Sequence, residues 1–229
     1  MFLGNYFHNI NKNYKNFSFS GISFDTKSIK KNYIFFAIKG TNVDGNKFIP
    51  NAIKKGSKII VTEKKANSFQ NGILYIHTKN IRKLLAETAF KIYSKKPKNL
   101  IAVTGTNGKS SVADFYYQIL KLNKKKVSSI GTLGVKSKNS NFNLPNTTID
   151  PVKLAQILSK LKSQKIENVI MEASSHGLRQ NRLDGLKFNS GIFTNLSQDH
   201  LDYHKNLKKY LNAKLYLFKN LIKKRGFVI

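Results

Sequence analysis

Short apolar runs alternate with amphipathic stretches along most of the chain, and this alternation predicts an α/β fold. Residues 33–38, 58–62 and 73–77 carry the β-branched and aromatic residues expected of short strands. Between the first two, residues 50–55 read as a short helix opened by Pro50 and closed by Gly56. Residues 82–93 set Leu84, Leu85, Thr88, Ala89 and Ile92 on one face, the spacing of a helix lying on a core. The run Lys95-Lys96-Pro97-Lys98 interrupts the pattern and predicts a boundary, with one domain over residues 1–97 and a second over 98–229.

Beyond that boundary the alternation is cleaner. Residues 100–104 predict a buried strand, and the helix after it stacks Val112, Phe115, Tyr116, Ile119 and Leu120 inward. Residues 127–130, 169–171 and 192–194 predict further buried strands. Asp150 is placed to cap a helix with Pro151 at its first position and Val152, Ala155, Leu158 and Leu161 facing the core. Residues 227–229 resemble the start of one more strand. The expected architecture is a doubly wound parallel sheet, whose ligands sit at the carboxyl ends of the strands.

One turn in this frame carries chemistry. Val103 to Ser111 read V-T-G-T-N-G-K-S-S between a strand pattern and a helix pattern. Gly105 and Gly108 let the backbone turn its N–H groups toward an anion. Lys109 adds a point charge, the helix N-terminus adds its dipole, and the Ser110 hydroxyl can bind Mg²⁺. Val103 stands where the full phosphate-loop pattern has its first glycine, so an ordinary glycine turn is the alternative.

Composition narrows the classes. No apolar run approaches the roughly 20 residues of a membrane span, and no signal peptide is evident at the amino terminus. Zero cysteines exclude disulfides and thiolate metal sites, and the cytoplasm is the expected location. Forty-one Lys and Arg against 11 Asp and Glu give a net charge of +30. That charge is the footprint a nucleic-acid binder would show, but it is mostly Lys spread along the whole chain, so no specific nucleic-acid partner is expected. It favours anionic ligands such as nucleotides.

With so few carboxylates, the position of each is informative. Glu172 ends a predicted strand at the sheet edge of the glycine turn, where it would either bind Mg²⁺ or stand as a solvated strand-end acid. His200 and His204 lie four apart in D-H-L-D-Y-H; a zinc pair lacks a third ligand, and one histidine helping to hold magnesium is favoured. Lys214 falls in the middle of the apolar stripe Leu207, Tyr210, Leu211, Leu217, Phe218 and Leu221. It either snorkels to solvent or is buried with a lowered pKa, a neutral amine able to take up carbon dioxide as a carbamate. Asn146-Thr147-Thr148 and the run from Ser174 through Gln180 to Arg182 are polar strand-to-helix loops, the usual place for binding groups.

In order along the chain, T-G-T-N-G-K-S, N-T-T, M-E-A-S-S-H-G-L-x-Q-x-R and N-L-S-x-D-H-L-D-Y-H resemble the Mur ligases, most closely the tripeptide-synthetase (MurE) type. The segments 23–27, 35–40, Asp44-Gly45 and Phe48-Ile49 agree with it. The resemblance implies a small N-terminal α/β UDP-binding domain followed by a P-loop-type doubly wound parallel sheet domain. It also implies an ATP- and Mg²⁺-dependent amide ligase of peptidoglycan synthesis. Such an enzyme joins UDP-MurNAc-L-Ala-D-Glu to a diamino acid, meso-diaminopimelate or L-lysine, through an acyl phosphate. Gly105, Thr106, Asn107, Gly108, Lys109, Ser110 and Ser111 would bind ATP. Ser110, Glu172, His200 and a carbamylated Lys214 would hold magnesium, and Lys109, Glu172, His200 and Lys214 would be catalytic. Phe24, Thr26, Thr41, Asn42 and Val43 would hold the uridine diphosphate end, and Asn146, Thr147, Thr148, Ser174, Gln180 and Arg182 the muramoyl-dipeptide.

The chain departs from the family at Phe24, commonly Leu, at Thr26, commonly Ser, and at Ile149, where proline commonly follows N-T-T. The resemblance also implies a longer central domain and a third domain that selects the diamino acid, so the chain is expected to be truncated and inactive in isolation. The competing expectation is a module that binds the UDP-sugar-peptide without catalysis. Nothing in the sequence gives the oligomeric state.

Overall fold

The computed structural model describes residues 1–7, 10–40, 43–65, 69–138 and 140–229. The chain divides into two compact units, Met1–Lys91 and Ile92–Ile229. The division lies a few residues before the Lys-Pro run, at the end of a helix.

The first unit contains β1 (Gly21–Ser23), β2 (Tyr33–Phe36), α1 (Ile49–Lys54), β3 (Ile59–Thr62), β4 (Phe69–Gln70), β5 (Ile73–His77) and α2 (Ile81–Ile92). Its sheet runs β1-β2-β3-β5-β4, parallel except for the β4–β5 pair. Ile29, Phe35, Ala37, Ala52 and Ile60 form a core against which Ile49, Ile53 and Tyr75 pack. β1 and β4 carry too few apolar residues to announce themselves in the sequence. They are strands because the backbone of a neighbour is there to pair with.

The second unit contains β6 (Asn99–Thr104), α3 (Lys109–Leu122), β7 (Val127–Gly131), β8 (Gly134–Ser137), β9 (Ser140–Phe142), α4 (Pro151–Ser163), β10 (Asn168–Glu172), α5 (Ser175–Arg179), β11 (Phe188–Phe193), α6 (Leu201–His204), α7 (Leu207–Tyr216) and β12 (Ile222–Val228). The strand order is β12-β11-β6-β10-β7-β8-β9. β12, β11, β6, β10 and β7 are parallel, and β8 and β9 extend the sheet as antiparallel hairpin strands. The middle strands are near-continuous apolar runs because helices connect them across the sheet faces. Asp150 caps α4 as expected, its side chain accepting from the Lys153 N–H, and Leu154, Ala155, Leu158 and Leu161 are buried. Val152 is only half-buried.

One helix differs from expectation. On α3 the buried residues are Ala113 and Tyr117, with Val112 and Tyr116 packed beside them. Phe115 and Ile119 point outward, 62% and 58% exposed. Small Ala113 brings the helix close to Val103 and Ile170, and that close approach rotates the neighbouring apolar stripe away from the sheet.

The parallel register places the carboxyl ends of β11, β6, β10 and β7 side by side. Glu172 lies opposite Val103, Phe193 opposite Thr104, and Met171 opposite Ile130. The loops after these strands therefore emerge at one edge, which is where the site forms.

Candidate functional site

The phosphate-type loop is held from behind. Gly105 has φ +147°, and a Cβ there would lie 1.9 Å from the Thr194 Oγ1, so only glycine fits. Asn195 accepts from the Thr106 N–H through its carbonyl (3.0 Å) and from the Asn107 N–H through its side chain (2.9 Å), while Thr194 donates to the Asn107 carbonyl (2.6 Å). These bonds commit two loop amides to the end of β11. The N–H groups of Lys109, Ser110 and Ser111 precede the first helical bond of α3, from the Val112 N–H to the Gly108 carbonyl, and belong to residues that line the cavity over the loop. Lys109 Nζ donates to the Gly105 and Thr106 carbonyls (3.0 and 2.7 Å), and burial lowers its pKa.

A cavity of about 400 Å³ opens over this loop. It is lined by residues 105–111 and, among the expected residues, by Thr147, Glu172, Ser174, His200 and Lys214. It also includes Ser175 of the polar run after β10, Tyr210 of the apolar stripe, and Thr132, which the sequence did not single out.

Glu172 is only 3% exposed, at the end of β10. Its Oε2 accepts from Ser110 Oγ (3.0 Å) and from Thr132 Oγ1 (3.2 Å), and its Oε1 from the Thr132 N–H (2.9 Å). Two hard oxygen donors, the Ser110 hydroxyl and the Glu172 carboxylate, thus meet beside the loop. That donor set suits magnesium, which takes few protein ligands and completes its shell with phosphate oxygens and water. A solvated strand-end acid does not describe this carboxylate.

Lys214 is 1% exposed, so the snorkelling alternative is overturned. α7 points it inward with Tyr210 and Ala213 because its stem belongs to the apolar stripe. Its Nζ donates to the Gly105 carbonyl (2.5 Å) and lies 4.2 Å from the Tyr210 ring centre. Burial, then the nearby Lys109 charge, push its pKa down to about 7, from a reference of 10.5. Tyr210 in turn donates to Thr106 Oγ1 (3.2 Å), tying α7 to the loop.

His200 is half-exposed with φ +52°, beside Asp199 (3.5 Å) and edge-on to His176. His204 is fully buried and shares a hydrogen bond with Ser175 Oγ (3.0 Å), so it does not join His200 as a ligand pair. Among the described residues, no group of three or more His, Cys, Asp or Glu is arranged to hold a metal ion.

The remaining expected residues divide into two kinds. Thr148 is buried, its hydroxyl donating to the Glu172 carbonyl (2.9 Å) and accepting from the Ser174 N–H (2.9 Å). Ser174 caps α5 through the Gly177 N–H (3.1 Å). Arg182 donates to Gln180 Oε1 (2.8 Å) and to the Thr148 carbonyl, and Gln180 donates to the Tyr203 hydroxyl (3.2 Å). These four knit the loops after β9 and β10 together. Gln180, Arg182, Thr148 and Asn146 lie outside the cavity lining. In the first unit, Phe24 and Val43 are exposed beyond the carboxyl ends of β1 and β2. Thr26 opens a short turn whose carbonyl accepts from Lys55 Nζ (2.8 Å). Thr41 and Asn42 lie outside the described residues.

The sequence and the fold are matched in known proteins. Residues 103–229 match the Mur ligase middle domain, and residues 18–96 match the model described as Mur ligase family, catalytic domain. The chain belongs to the Mur ligase family. It is 44% identical over 227 residues to the UDP-N-acetylmuramoyl-L-alanyl-D-glutamate–2,6-diaminopimelate ligase of Rickettsia prowazekii, covering 97% of this chain and 47% of that protein. It is 40% identical to the protein of the same name in Brucella melitensis, covering 90% of this chain and 42% of that protein. The chain thus spans about half the length of these relatives. A solved 2,6-diaminopimelate ligase of the same name superposes with a TM-score of 0.82 at 27% identity, over 97% of this chain and 46% of that one. The MurF ligase of Thermotoga maritima, solved with ADP, shares the fold at a TM-score of 0.56 and 21% identity, over 90% of this chain and 44% of that one. No helix among the described residues is long and apolar enough to cross a membrane.

Proposed function

We propose that this Mur ligase chain provides the nucleotide- and UDP-substrate-binding parts of an ATP-dependent ligase of peptidoglycan precursor synthesis. The ligase adds 2,6-diaminopimelate to UDP-MurNAc-L-Ala-D-Glu in the cytoplasm. One observation carries the reading: Lys109, Ser110, Glu172, His200 and Lys214 converge on one cavity in a chain whose relatives bear that name.

The reaction needs several negative oxygens gathered in one place. The D-glutamate carboxylate attacks the γ-phosphorus of ATP, giving an acyl phosphate and ADP. The diamino acid's amine then attacks the acyl carbon, and the tetrahedral adduct collapses to the amide with loss of phosphate and a proton. Lys109 and the N–H groups at the start of α3 neutralise the phosphate oxygens. Ser110, Glu172 and His200 would hold magnesium, which would supply Lewis-acid charge at those oxygens. The neutral Lys214 amine, on adding carbon dioxide and losing a proton, would become a carbamate anion beside Lys109 and would offer the magnesium oxygen ligands. Thr147 and Ser174 face the muramoyl-dipeptide, with Thr148, Gln180 and Arg182 fixing the loops that present it. Asn146 begins that loop, and Phe24, Thr26 and residues 41–43 hold the uridine diphosphate end.

Titration of the 229-residue chain with a fluorescent ATP analogue and with UDP-MurNAc-L-Ala-D-Glu tests the reading. Magnesium-dependent nucleotide binding is expected, and Lys109→Ala should lose it while keeping the sugar-peptide. Sugar-peptide binding with no magnesium-nucleotide binding in the wild type would instead make the chain a binding module.

A further inference from the structure

Thr132 has no place in the motifs that mark the site, yet it makes more contacts to Glu172 than any loop residue the sequence offered. It is the first residue after β7, in a two-residue turn that the pairing of Gly131 with Gly134 closes into a hairpin. The turn fixes its backbone, and its N–H meets Glu172 Oε1 at 2.9 Å while its hydroxyl meets Oε2 at 3.2 Å. The strand end is shaped for this approach. A Cβ on Gly131 would stand 2.2 Å from Glu172 Oε1, so the carboxylate lies where that side chain would be.

Proton counting orders the network. The Thr132 hydroxyl lies 2.9 Å from the Thr147 hydroxyl and has one proton to give. The carboxylate only accepts, so that proton goes to Glu172 and Thr147 donates to Thr132. Thr147 stands in the N-T-T loop, so a chain of hydroxyls runs from that loop to the carboxylate, which Ser110 meets from the phosphate-loop side.

We propose that Thr132 is a positioning residue: its amide and hydroxyl, backed by Thr147, orient the Glu172 carboxylate toward the metal of a bound metal-nucleotide. This rests on the reading of Glu172 as a magnesium ligand. Removing a partner that orients a metal ligand typically costs about 10–100-fold in metal affinity or activity.

The test replaces Mg²⁺ with Mn²⁺ and follows its binding to the 229-residue chain with ADP by electron paramagnetic resonance, alongside thermal unfolding. Thr132→Val keeps the shape and the N–H and should weaken Mn²⁺·ADP binding about tenfold. Thr132→Ser should restore it, Thr147→Val should fall between, and the unfolding midpoints should match the wild type. Wild-type Mn²⁺ affinity in Thr132→Val would overturn the proposal alone. Absence of Mn²⁺-dependent ADP binding in the wild type would overturn it together with the metal reading. A loss that Thr132→Ser does not repair, or that tracks a lowered midpoint, would reduce Thr132 to a packing residue.

Discussion

Lys214 shows how much one residue's surroundings decide. From sequence it was an anomaly with two readings, because periodicity fixes which way a side chain leaves a helix but not how far solvent reaches. Burial between Tyr210 and the Gly105 carbonyl decides it. With a pKa near 7, its neutral fraction grows as pH rises through that value, and only the neutral amine captures carbon dioxide. A ¹³C-carbamate resonance in labelled bicarbonate should therefore strengthen from about pH 6 to about pH 8 and be missing in Lys214→Met. His204 offers a second titration. Burial first, and the neighbouring His176 second, hold its pKa at about 4 against a reference of 6.5. The unfolded chain takes up the proton more readily in that window, so this group's stabilising contribution is present above 6.5 and is lost as pH falls toward 4. Unfolding midpoints measured across that range should fall less steeply for His204→Gln than for the wild type. Thr132 was illegible for a different reason. A hairpin residue acquires its role from β10, the strand paired beside β7 but distant along the chain, and no local spacing records that neighbour.

At the scale of elements, the strands and helices around the phosphate loop could be read because their signals are local. An apolar run leads into glycines, a lysine follows, and Asp-Pro opens α4. The orientation of α3 could not. Its sequence carries two adjoining apolar stripes, one through residues 112, 116 and 120 and one through 115, 119 and 122, and helical periodicity supports both. The sheet chooses the side with Ala113, since small residues allow close approach. Ile119→Lys should accordingly shift unfolding free energy in denaturant by less than about 0.5 kcal/mol. Ala113→Leu, forced against Val103 and Ile170, should cost about 1–3 kcal/mol in the same measurement. The hairpin strands β8 and β9 also escaped the sequence, being short and polar at their ends, and β8 matters because the turn that joins it to β7 carries Thr132.

Across the whole molecule, a net charge of +30 has to coexist with a specific anion site. The two kinds of binding differ in how salt affects them. Lysines spread over a surface attract any polyanion, and duplex DNA should be released by roughly physiological salt, as counterion release dictates. Nucleotide held by the loop amides and Lys109 should largely survive the same change, since partly buried charges are less screened; equal salt sensitivity in a filter-binding comparison would contradict a built site. The edge strand β12 brings this charge to one line of backbone. Its middle residues Lys223, Lys224 and Arg225 are exposed cations, while Phe227 and Val228 beyond them are 72% and 63% exposed. Self-repulsion guards the first part of the strand, and among the described residues of β12 no charged side chain guards the second. The shelf life of the isolated chain in solution thus becomes a matter of ionic strength: dilute buffer keeps neighbouring copies apart, and concentrated salt lets one copy's edge template the next.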